Sequence, residues 1–68
     1  MQSRIIIKLL QADGWHEVAH QGDHKQFKHP VKKGRVTLTH PVKDVNIWVI
    51  RDIERKSGVK LRHRKRRK

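Results

Sequence analysis

The chain has 68 residues and carries 18 lysines and arginines against six acidic residues, a formal charge of +12 at pH 7. That length supports one domain with a thin core, and the lack of cysteine excludes disulfides and thiolate metal sites. No apolar run approaches a membrane span or a signal-peptide core, so the expected setting is the cytoplasm, with no membrane insertion.

Residues 4–12, RIIIKLLQA, place Ile5, Ile6, Leu9 and Leu10 on one face of a helix. Ser3 is the expected N-cap, and Gly14 stands where a left-handed residue closes the helix. From Trp15 the period changes. WHEVAH, residues 15–20, alternates weakly as a short strand, and QGD at 21–23 is a turn signal. HKQFKH, residues 24–29, alternates around Phe27. Lys25, Phe27 and His29 share one face, and His24, Gln26 and Lys28 share the other. PVKKG at 30–34 is a loop. RVTLTH, residues 35–40, is the cleanest strand, with Val36 and Leu38 pointing one way and Arg35, Thr37 and Thr39 the other. Asn46 caps a predicted second helix, IWVIRDIERKS, which stops at Gly58 and carries Ile47, Val49, Ile50 and Ile53.

The predicted fold class is α+β in the order α-β-β-β-α. Three short strands with tight turns form an antiparallel sheet, and two amphipathic helices bury their stripes on one of its faces. The organised domain is expected over residues 1–59. Residues 60–68, KLRHRKRRK, hold seven of the positive charges and no acid, and read as a basic tail that stays unfolded through self-repulsion. Such charge suits nucleic acid, an acidic protein or an anionic membrane surface.

The open sheet face collects His24, Gln26 and Lys28 with Thr37 and Thr39. Lys32, Lys33 and Arg35 come from the adjoining loop and strand start. Basic side chains placed this way can hold phosphates. They read equally well as a solvated sheet face. An imidazole titrates near neutral pH, so His24 can take a proton from one oxygen and give one to another, or it can be an ordinary surface histidine. His16, His20 and His24 are spaced by four, which gathers ligands only on a helix; here a turn intervenes and no metal site is expected. Trp15 and Trp48 read as core or edge residues. Trp48 precedes the apolar stripe of its helix, and a partly exposed indole there can anchor a partner.

The segment GDHKQFKHPVKKGRVTLTHPVKD resembles the centre of the HicA toxins, small bacterial mRNA interferases of toxin–antitoxin systems. SRIIIKLLQADGW resembles their first helix and its exit, and IRDIERKSGV resembles their last helix and its glycine stop. The likeness covers residues 1 to about 59. It implies a fold similar to the double-stranded-RNA-binding domain. It also implies metal-independent RNA cleavage by one histidine, His24 in this sequence, and an antitoxin partner, HicB, that covers the active site. The chain departs from the family pattern at Asp23, Lys25 and Thr39, and at the VNIWV that opens its last helix.

The resulting expectation is an endoribonuclease acting on mRNA. His24 is the catalytic residue, Lys25, Gln26, Lys28, Lys32, Lys33 and Arg35 contact RNA, and neither metal nor cofactor takes part. Two other readings remain open: a non-catalytic RNA-binding module, which explains fold and charge equally well, and a tail-driven binder of acidic membranes or proteins.

Overall fold

The structure is a computed structural model that describes residues 1–61. The element order is α1 (Ser3–Ala12), β1 (His16–Gln21), β2 (His24–Lys28), β3 (Arg35–Thr39) and α2 (Ile47–Ser57). The strands form one antiparallel sheet in the order β1-β2-β3, so the predicted α-β-β-β-α architecture is the observed one.

Helix α1 forms over the predicted apolar run, but its buried face is centred on Ser3, Ile6 and Leu10. Ile5 is 38% exposed and Leu9 lies at the edge. Ser3 is not the N-cap. Gln2 holds that position without a side-chain cap bond, and Ser3 is the first helical residue. Its buried hydroxyl accepts the Val42 N–H at 2.8 Å and pairs with His40 Nδ1 at 2.7 Å. A bond across 39 positions of sequence therefore displaces the local cap that propensity favours. Backbone bonds from Ser3 N to Val42 O and from Val45 N to Met1 O complete this junction.

Strand β1 is exposed along its whole length, as an edge strand can be. A bulge at Val18 interrupts its pairing with β2: Glu17 opposes Phe27, while Ala19 opposes Gln26. The extra residue breaks the two-residue alternation, which explains the weak pattern in WHEVAH. Strands β2 and β3 pair in unbroken register from His24 opposite Thr39 to Lys28 opposite Arg35. Phe27, Val36 and Leu38 consequently point to the helices and are buried, and Thr37 and Thr39 point outward.

Helix α2 is capped as predicted. The Asn46 side chain accepts the Trp48 N–H at 2.8 Å, and Gly58, at φ 74°, stops the helix while its N–H bonds to Glu54 O. Ile50, Ile53 and Ser57 form the buried stripe, at the helical spacings of three and four. Ile47 and Val49 are 43% and 40% exposed and sit at its margins. The chain then returns to the core: Leu61 is buried, and its N–H donates to Glu54 Oε2 at 2.9 Å. Leu61 thus packs with the body, and residues 62–68 of the expected tail lie outside the described residues. One cluster holds Ile6, Leu10, Trp15, Phe27, Val36, Leu38, Val45, Ile50, Ile53 and Leu61. With so few core residues each weighs heavily, and cutting a side chain such as Phe27 to alanine costs about 3–5 kcal/mol.

Candidate nucleic-acid interface

His24 is the first residue of β2, directly after the Gly22–Asp23 turn. Gly22 adopts φ 59°, a left-handed conformation that turns the chain sharply before the histidine. Cross-strand pairing sets three rows of side chains on the face away from the helices. Gln21, His24 and Thr39 form the first, Ala19, Gln26 and Thr37 the second, and His16, Lys28 and Arg35 the third. Side chains in such rows are neighbours. None of the nine is acidic, and Lys28 and Arg35 leave the face positive. His24, Lys28, Arg35, Thr37 and Thr39 are exposed, and Lys33 adds an exposed cation from the loop before β3. Arg35 Nη1 donates to Gln26 Oε1 at 2.6 Å, which fixes the amide oxygen and leaves the amide nitrogen as the donor Gln26 can offer.

Two of the predicted contacts lie elsewhere. Lys25 is on the helix side of the sheet, opposite Leu38, because side chains alternate along a strand. Its Nζ donates to Glu17 Oε1 at 3.1 Å, and its side chain is only 20% exposed. Lys32 is a structural clasp. Its Nζ donates to Asp13 Oδ2 at 2.7 Å and to Ser57 O at 2.9 Å, joining the exit of α1 to the end of α2. The hydrogen bond and charge of Lys32 hold the Asp13 carboxyl below its ordinary range.

The other histidines divide by role. His29 lies at the loop, its side chain 10% exposed and its ring edge-on to Trp15 at 5.3 Å. Its Nδ1 accepts the N–H groups of Val31 and Lys32, each at 3.0 Å. That leaves the proton on Nε2, which donates to Asp13 O at 2.7 Å. Both ring nitrogens are committed to holding the loop. His40 follows β3, pairs with Ser3 on the helix side, and donates its backbone N–H to Asp23 O at 2.7 Å. His16 and His24 occupy opposite ends of the open face, and His20 pairs with Lys25 on the other. The four-residue spacing of these three brings no ligand set together.

The structural roles of His29 and His40 escape sequence reasoning, because their partners lie far along the chain. The only local signal is that a proline follows each, as Pro30 and Pro41, marking both as residues at the end of an extended segment.

Fold and site together define a small basic domain with a histidine-bearing, acid-free sheet face. The sequence profile of the HicA toxin of bacterial toxin–antitoxin systems matches residues 3–59, and the chain belongs to that family. Among solved structures, the fold is similar to a chain of a complex described as the HicA3 and HicB3 toxin–antitoxin complex. The two share 26% sequence identity with a TM-score of 0.77, covering 91% of this chain and 100% of that one. No curated protein matches the chain. Among the described residues no helix is long and apolar enough to cross a membrane.

Proposed function

We propose that this toxin is an endoribonuclease that cleaves single-stranded mRNA through His24, without a metal, and that a HicB-like antitoxin restrains it by covering the same face. The observation that carries the reading is the placement of His24, an exposed imidazole at one end of an acid-free face whose other rows supply an amide, a hydroxyl and two cations.

Cleavage begins when the ribose 2′-oxygen attacks the adjacent phosphorus. The 2′-hydroxyl loses its proton, the P–O5′ bond breaks, and the departing 5′-oxygen gains a proton. The products are a 2′,3′-cyclic phosphate and a free 5′-hydroxyl. His24 supplies proton transfer, as base toward the 2′-hydroxyl or acid toward the leaving oxygen. Gln26, one row from His24, donates to the phosphoryl oxygens as charge develops on them, and Lys28 and Arg35, in the third row, hold phosphates of flanking nucleotides. Lys33 adds attraction for the strand from the loop. Unstacked nucleotides reach the in-line geometry that attack requires, which favours single strands over duplex. A partner that covers this face must offer it negative charge.

The test is cleavage of a mixed-sequence single-stranded RNA in chelator by the protein and by His24→Ala. The expected result is cyclic-phosphate ends with the first and a loss of at least about 100-fold in rate with the second. RNA that binds both proteins and stays intact with both would make the chain a non-catalytic binding module.

A further inference from the structure

One face of α2 is left over by the core and by the His24 face. Trp48, Arg51, Asp52 and Arg55 recur at helical spacing and together line a shallow cleft of about 280 Å³. Trp48, the largest apolar side chain of α2, is 68% exposed. The Arg51 guanidinium stands over the indole, 5.2 Å from its centroid. Asp52 is spanned by Arg55 at 2.8 Å and Lys56 at 3.3 Å, so the one acid of the stripe is neutralised and the stripe remains positive.

We propose that this stripe is a second contact for single-stranded RNA, in which a nucleobase stacks on Trp48 while Arg51 and Arg55 hold the flanking phosphates. The proposal rests on the reading of the toxin as an RNA-binding protein and extends it to a face that reading does not use. The composition of the stripe selects the ligand. A protein anchor would find one apolar side chain there, because Ile47 and Val49 turn toward the margins of the core and Val49 lines a different cleft. A nucleobase needs one ring and nearby cations, which is what the stripe offers. A second copy of the chain is disfavoured by charge, since each carries +12.

A route joins the two faces. The cleft that Val49 lines, about 270 Å³, also includes Thr39, Val42, Asn46 and Asp44, whose carboxylate accepts a hydrogen bond from the Met1 ammonium at 3.1 Å. Thr39 is the cross-strand partner of His24, and Val49 adjoins Trp48. In the proposed arrangement, a strand running from the His24 end of the sheet to the indole passes this cleft.

The two tryptophans make the test direct, because Trp15 is 1% exposed and Trp48 is the one that solvent and ligands reach. A short 2′-O-methyl RNA, which cannot be cleaved, is titrated into the protein and into Trp48→Ala and Trp48→Phe, with heparin and polyglutamate as base-free polyanions. Stacking predicts quenching of indole fluorescence by RNA and not by the polyanions. It also predicts an affinity loss of about tenfold in Trp48→Ala, mostly restored in Trp48→Phe. RNA binding without quenching, or equal affinity of Trp48→Ala and the parent, overturns the proposal and leaves the His24 reading intact. Quenching by polyglutamate as strong as by RNA overturns it in favour of an acidic polypeptide. No RNA binding at all removes both.

Discussion

At the scale of single residues, the pair His24 and His29 shows how position decides chemistry. They lie five places apart and are the same side chain. His24 faces solvent among donors, and His29 spends both nitrogens on backbone groups. Their substitutions should separate cleanly. His24→Ala should abolish cleavage and leave the melting temperature within about 2 °C of the parent, as exposed substitutions do. His29→Ala should lower stability by about 1–3 kcal/mol in urea unfolding, since two N–H groups and a carbonyl lose their partner. Gly14 lies beside the ring of the same histidine. At φ 107° it holds a conformation strained for any other residue, and a Cβ there would lie 2.8 Å from His29 Nε2. Gly14→Ala should therefore cost about 1–3 kcal/mol, with a matching fall in denaturant midpoint.

At the scale of elements, the Lys32 clasp binds three of them. It draws the β2–β3 loop onto the exit of α1 and the last carbonyl of α2. The depressed Asp13 pKa fixes the sign of its pH dependence. Above 3.8, the ordinary value, the carboxylate is charged whether the chain is folded or not, and the clasp contributes fully. As pH falls through the lower value of the folded state, the native carboxylate protonates and that contribution is lost. Asp52 behaves likewise through Arg55 and Lys56. Lys32→Met should flatten the acid-side decline in melting temperature while leaving the Asp52 share in place. Elements are also where the sequence was most and least legible. Asn46 and Gly58 announce the ends of α2 because caps act over three or four residues. The alternation around Phe27 sorts His24, Gln26 and Lys28 from Lys25 because β2 and β3 pair without interruption. The Val18 bulge, the inward turn of Ser3 and the diversion of Lys32 were not legible. Each depends on a partner strand or on residues 19 to 39 positions away, which no local period encodes.

At the scale of the molecule, charge governs encounter. Residues 62–68 add six cations to a body that is already positive. If they contact RNA, deleting them should make the slope of log affinity against log salt shallower by up to about 4, at roughly 0.7 per phosphate contact on a single strand. An unchanged slope would assign RNA affinity to the body alone. The junction between residues 1–3 and 42–45 has a consequence of a different kind. Helix α1 closes against a segment some forty residues further along the chain, and the core it covers includes α2 and Leu61. A segment that stops short of α2 leaves the apolar face of α1 partly uncovered, so the domain becomes stable only when its last helix is present. A domain wired this way completes its sheet face only once α2 has been made. Translation interrupted before that point yields fragments open to proteolysis rather than a folded domain.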